Sequence, residues 1–132
     1  MKVMLDTNIC IYMIKQKPQT VLERFRAFQV GDVGISSITL AELQYGAMKS
    51  ARPRQNRESL KEFIAPLDVA SFDIAASEAY GEIRASLEKS GRPIGAMDLL
   101  IAAHALSLDA RLATNNEREF RGVRGLHVEN WI

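Results

Sequence analysis

Four acidic residues in this chain each stand where a strand or helix pattern begins or ends, and together they are the residues best suited to do chemistry. Asp6 closes the apolar run Val3-Met4-Leu5, and Glu42 follows a second apolar run, Val33-Gly34-Ile35, and its small polar residues. Asp98 heads the segment "MDLLIAAHALSL", and Glu119 lies just beyond "RLAT". A carboxylate at the tip of a buried strand is costly unless something uses its charge. Several of them in one crevice repel one another and push their pKa values upward unless a cation intervenes. A divalent metal relieves that repulsion, and carboxylates around a metal suit water attack on a phosphoryl group.

The donors present narrow the choice of ion. The only histidines are His104 and His127, and neither is at ligand spacing with Cys10 or with the other, which disfavours zinc. An all-oxygen set with room for water suits Mg²⁺ or Mn²⁺. Thr7, Asn8, Thr114 and Asn116 add hydroxyl and amide groups able to orient a water or a carboxylate. Plain structural duties compete for the same residues. Thr39-Leu40-Ala41-Glu42 matches a capping box. Asp6 and Asp98 suit helix starts, where each is worth roughly 0.3–1 kcal/mol against the helix dipole. Asn8 suits a turn or cap, and His104 suits the core or its rim. Number and position favour the shared crevice, because three acids converge through elements otherwise rich in Val, Ile, Leu and Ala.

Positioning such a set requires strands that end together. Apolar runs predict strands over residues 2–5, 33–35, 67–70 and 111–114, with a fifth at 126–129. Helical patterns fill 8–15, 18–28, 39–48, 53–64, 73–90 and 97–108, the last apolar nearly all round and hence buried. Alternation of the two patterns predicts an α/β fold with a mostly parallel sheet, whose ligand crevice lies beyond the carboxyl ends of the strands. At 132 residues, one domain spanning 1–132 is expected.

Composition bounds the rest. The chain is 47% hydrophobic and 25% charged, the balance of an ordinary globular protein. With Cys10 the only cysteine, no internal disulfide forms, and no apolar stretch is long enough to span a bilayer, so a cytoplasmic location is expected. The net charge of +1 does not announce a nucleic-acid binder. Locally, however, Lys49, Arg52, Arg54, Arg57 and Lys61 face only Glu58, a pattern that fits a solvated helix face or a surface for a polyanion. Neither G-x-G-x-x-G nor G-x-x-x-x-G-K-[ST] occurs, which disfavours nucleotide binding of those kinds.

The stretches "MLDTNICIY", "SSITLAELQYGA", "GRPIGAMDLLIAAHAL" and "LATNNEREF", in this order and spacing, resemble the PIN-domain ribonucleases, and more narrowly the VapC toxins of type II toxin–antitoxin pairs. The resemblance implies a PIN-like three-layer fold, with a central sheet of four or five strands and helices on both faces. It implies Mg²⁺ or Mn²⁺ held by Asp6 and Asp98, with Glu42 completing the triad. Many members carry an aspartate where this chain has Asn116, so Glu119 is expected to stand in as the fourth acid. The implied activity is cleavage of structured RNA, commonly transfer RNA, with the initiator tRNA anticodon stem-loop the substrate of the most similar-looking members. A VapB-like antitoxin and a homodimer are implied partners, with no membrane role. Arg52, Arg54 and Arg57 would then hold the RNA backbone. Two alternatives stay open: a PIN-like RNA- or partner-binding module without cleavage, which Asn116 allows, and a metal-dependent phosphatase on a similar fold. The phosphatase would want a second aspartate at the position of Asn8.

Overall fold

Three successive apolar residues can all be buried only in a strand covered on both faces. In the computed structural model, which describes residues 1–132, β1 (Val3–Leu5) is such a strand, with no part of it exposed. After it come α1 (Thr7–Gln16), α2 (Gln19–Arg26), β2 (Val33–Ser36), α3 (Ser37–Met48), α4 (Pro53–Ile64) and β3 (Asp68–Ala70). The chain continues through α5 (Ile74–Lys89), α6 (Ala96–Ser107), β4 (Arg111–Thr114), α7 (Glu117–Phe120) and β5 (Val128–Asn130). All five strands are parallel, in the order β3-β2-β1-β4-β5. The chain therefore winds outward from β1 to β3, then returns past β1 and winds the other way, so the direction reverses between β1 and β4.

Successive side chains of a strand point to opposite faces, and here that alternation feeds two cores. Val3 and Leu5 join Ile9, Met13, Val21, Ile35 and Leu60 on the face covered by α1, α2 and α4. Met4 and Leu112 join Ile83, Leu87, Leu99, Ile101 and Ala102 on the face covered by α5 and α6. Because α6 is packed between the sheet and α5, six of its twelve residues are buried, His104 among them. Trp131, stacked on Phe28 at 5.8 Å, draws the chain end back onto the first face.

The sequence-based elements all appear, with shifted ends. The third helix begins at Ser37, two residues before the expected Thr39, because Ser36 Oγ accepts the Ile38 N–H at 3.0 Å and caps it. The capping box read at Thr39–Glu42 therefore does not form: Thr39 is already inside the helix and fully buried. The short α7 was not anticipated; four residues carry too little periodicity to announce a helix.

In the pairing of β2 with β3, Gly34 stands opposite Asp68. A methyl group there would collide with the Asp68 carbonyl oxygen, and the Met1 side chain lies against the same spot. Backbone of a paired strand cannot step aside as a flexible side chain can. Gly34→Ala is expected to cost about 1–3 kcal/mol by overpacking, lowering the midpoint of thermal unfolding by roughly 4–12 °C, as followed by circular dichroism.

Candidate active site

The crevice lies beyond the carboxyl ends of β1 and β4, where the winding direction reverses. Asp6 leaves β1 with its N–H donated to the Ala113 carbonyl of β4 at 3.0 Å, so the two strand ends are tied together at the acid itself. Its side chain then caps α1: Oδ1 accepts the Ile9 N–H at 2.8 Å. One oxygen thus starts the helix, and the charge stays at the crevice. Only 2% of Asp6 is exposed, and burial pushes its pKa upward; Thr114 and the Ile9 N–H pull it back down, while the charge of Glu42 adds to the rise.

Glu42 reaches the crevice from the second turn of α3. Its Oε1 accepts a short hydrogen bond, 2.6 Å, from the Thr7 hydroxyl, which also lies 3.2 Å from Thr39 Oγ1. The bonds expected of a capping glutamate are replaced by a bond across to the first helix, which holds the carboxylate beside Asp6.

Asp98 occupies the first turn of α6, behind Gly95, which caps that helix without any side chain of its own. Its pKa is pushed up to about 6, first by burial and then by the charges of Glu119, Asp6 and Glu42 in that order. Those three influences give the arrangement its meaning, since Asp98 feels each of the other three expected acids. Glu119 comes from α7, with its Oε1 accepting the Gly95 N–H at a long 3.4 Å, and so approaches Asp98 at the start of α6.

The acids surround the crevice without closing on it. No three Asp, Glu, His or Cys side chains stand at the spacing of a ready-made ion cage, so the expected triad of Asp6, Glu42 and Asp98 is gathered but not closed. Asp6, Glu42 and Glu119 are each drawn to a different donor: Ile9 N–H, Thr7 Oγ1 and Gly95 N–H. None of the four acids belongs to an ion pair; the chain's salt bridges join Lys2–Asp32, Arg84–Glu88, Arg111–Glu129 and Arg121–Glu117. Negative charge is concentrated here and left uncompensated by the protein. Oxygen donors alone, unneutralised and partly desolvated, fit a hard divalent cation.

The supporting residues separate into two groups. Thr7 clamps Glu42, and Thr114, fully buried, sits beside Asp6 while its Oγ1 accepts the Asn116 N–H at 2.9 Å. Asn8 and Asn116 instead line an open cleft next to the acids, on the α1 side. Of the expected RNA-binding residues, Arg54 and Arg57 line a cleft of about 290 Å³ with Gln44 and Lys61, while Arg52 precedes α4 at its N-terminus, exposed.

One connection was not anticipated. His104 Nδ1 lies 2.7 Å from Ser36 Oγ, so the residue that caps α3 is joined to the helix that carries Asp98. The ring is fully buried, edge-on to Phe72 at 5.3 Å, and burial lowers its pKa against the pull of Asp73. A neutral histidine so placed ties together the two elements that bring Glu42 and Asp98 to the crevice. The sequence signal was the Ser-Ser pair directly after "VGI", a position that favours a helix cap. Its pairing with a residue 68 positions away had no local signal.

Comparison with known proteins agrees with this geometry. Residues 3–126 match the PIN domain family. The chain is 50% identical over 131 residues to the tRNA(fMet)-specific endonuclease VapC of Shigella flexneri, covering 99% of this chain and 98% of that one. It superposes on the DNA-bound VapBC of Salmonella typhimurium with a TM-score of 0.96 at 45% identity, covering 100% of this chain and 99% of that chain. The VapBC2 of Rickettsia felis bound to a promoter DNA fragment gives 0.92 at 43% identity, with both chains covered in full. With this fold, four carboxylates gathered at the sheet's reversal point and relatives matched from end to end, the chain belongs to the PIN-domain ribonucleases of the VapC family.

Proposed function

We propose that this protein is the toxin of a toxin–antitoxin pair and an Mg²⁺-dependent endoribonuclease, able also to use Mn²⁺, that cuts transfer RNA. The observation that carries the chemistry is the set of four carboxylates, Asp6, Glu42, Asp98 and Glu119, in which Asp98 feels the other three and none is paired with a cation of the protein. Asp6, Asp98 and Glu42 would hold the ion, with Glu119 at the outer side. Mg²⁺ held there supplies positive charge to the phosphoryl group and acidifies a water. The protein's own part is positioning. Ile9 N–H fixes one oxygen of Asp6, Thr7 fixes one of Glu42, and the pair Ser36–His104 holds α3 against α6. Hydrolysis then requires a water aimed at phosphorus in line with the leaving oxygen, its proton taken up by the surrounding carboxylates. Asn116, unable to carry charge, leaves the outer role to Glu119.

The named specificity of the Shigella flexneri relative supports initiator tRNA as the substrate, and we propose its anticodon stem-loop as the cleaved element. The VapBC complexes among its structural relatives support a VapB-like antitoxin as partner. We read the toxin as a homodimer, for which the exposed apolar side chains Tyr45, Met48, Ile74 and Met97 offer contact surface. No helix is long and apolar enough to cross a membrane, and a cytoplasmic place of action follows from the substrate.

Three outcomes are expected. First, purified protein cuts tRNA with Mg²⁺, stops with EDTA, and loses about 100-fold or more in rate on Asp6→Asn. Asparagine caps a helix as well as aspartate does, so the variant should melt no lower than the parent; full metal-dependent cleavage by it would remove Asp6 from the site. Second, Asp98 binds its proton more tightly folded than unfolded, so its contribution to stability is present below about 3.8 and lost as pH rises through about 6. In chelator, Asp98→Asn should therefore raise the melting temperature at pH 7.5 and leave it unchanged at pH 4. Mg²⁺ or Mn²⁺ should stabilise the parent at pH 7.5, an effect fading on acidification through pH 6 as protons compete. Third, replacing Arg52, Arg54 and Arg57 together with glutamine should weaken RNA binding and flatten the slope of log affinity against log salt by roughly 2; an unchanged slope would place the RNA elsewhere.

A further inference from the structure

Beside the acids lies a second feature that carboxylate chemistry does not use. A cleft of about 460 Å³ opens between α1 and the turn leading from β4 to α7, lined by Asn8, Ile11, Tyr12, Lys15 and Gln16 on one side and by Asn115 and Asn116 on the other. It is broad and open to solvent, and mostly polar in its lining, as suits a segment of chain more than an enclosed small molecule. It sits at the same reversal point as the acids: Asn8 is two residues beyond Asp6 and Asn116 two beyond Thr114, at the ends of paired strands. Open α/β sheets bind ligands in that crevice.

The lining is chemically distinct from its neighbour. It contains no carboxylate, although the acid cluster adjoins it. Its four side-chain amides, from Asn8, Gln16, Asn115 and Asn116, are exposed and form no hydrogen bond within the protein. Each free amide offers both a donor and an acceptor. Tyr12, half-buried, supplies a ring held by its packing against the core beneath α1. Lys15 makes no ion pair and stands exposed at the rim. A half-buried aromatic ring, several exposed amides and one exposed cation match an unstacked nucleotide: a flat base with hydrogen-bonding edges, and a phosphate.

We propose that this cleft receives one unpaired nucleotide of the RNA next to the scissile phosphate, with Tyr12 stacking on the base, the amides reading its edge and Lys15 holding the following phosphate. The inference rests on the nuclease reading and adds to it the residues that choose the cleavage position. It explains how a strand repelled by the acids is brought to them: one nucleotide to the side, the surface is neutral to basic.

The test uses anticodon stem-loop RNAs, each with one abasic site in the loop, against the parent protein, Tyr12→Phe, Tyr12→Ala and Gln16→Ala. In the parent, one abasic position flanking the cut is expected to lower kcat/KM about tenfold, and the same substitution to have no further effect in Tyr12→Ala. Tyr12→Phe should behave as the parent, and Gln16→Ala, at an exposed position, should raise KM with kcat kept. Anisotropy of the same RNAs bound to the Asp6→Asn protein gives a readout that needs no cleavage, and should lose the same position in the Asp6→Asn/Tyr12→Ala protein. Abasic and Tyr12→Ala losses that multiply at every position, or cleavage and binding indifferent to Tyr12 and Gln16, overturn the proposal. Loss of antitoxin inhibition by Tyr12→Ala with RNA cleavage and binding intact would assign the cleft to the protein partner and overturn it likewise. If the parent cuts no RNA, the nuclease reading fails, while position-specific binding still decides the cleft.

Discussion

The hydrogen bond from Ile9 N–H to Asp6 Oδ1, 2.8 Å long, joins two demands that pull against each other. A carboxylate almost wholly out of water should become neutral, and burial does raise the pKa of Asp6. Charge can persist there only where donors are already aimed at it, and the first turn of a helix provides such donors together with the favourable end of its dipole. Asp6 is therefore both the start of α1 and the innermost acid of the crevice. The strand's end, the helix's direction and the location of charge are settled by one side chain, and the remaining acids are arranged around it.

Around that point the fold works as a set of ties between elements that carry acids. β1 and β4 meet through the Asp6 N–H and the Ala113 carbonyl, α1 meets α3 through Thr7 and Glu42, and α3 meets α6 through Ser36 and His104. Glu119 completes the ring by reaching the N-terminus of α6. Each tie brings in an element from a different part of the chain, which is why like charges can stay together without a protein cation among them. Burial first and then the charges of the other three raise Asp98, the member least embedded in donors, to about 6.

What could be read from the sequence was what depends on local pattern. Val3-Met4-Leu5 and the all-round apolar α6 announced a buried strand and a buried helix because full burial leaves no alternation to hide in. The acids stood out because each ends or begins such an element. Where local rules misled, tertiary contacts had won: Thr39 and Glu42 have the spacing of a capping box, yet Ser36 takes the cap and Thr7 takes the glutamate. Asp6, in contrast, satisfied the local and the functional reading at once. The partnership of Ser36 with His104 and the approach of Glu119 to Gly95 span 68 and 24 residues, distances over which no periodicity carries information.

Electrostatics divides the surface around the crevice, and the division bears on how a polyanion can reach acids that repel it. The net charge of +1 conceals a concentration of negative charge at the strand ends and of positive charge on α4, where Arg54, Arg57 and Lys61 line a cleft. The amide-rich cleft between α1 and the turn before α7 carries one lysine and no carboxylate, and lies at the acids' edge. At physiological salt an exposed charge is felt over about 8 Å, so an RNA backbone held on α4 beyond that reach would leave the carboxylates unneutralised. The centre then stays short of positive charge from the protein itself. That deficit favours a small divalent cation over a lysine or arginine, since only a mobile ion can both enter with the substrate and leave the carboxylates free to orient a water.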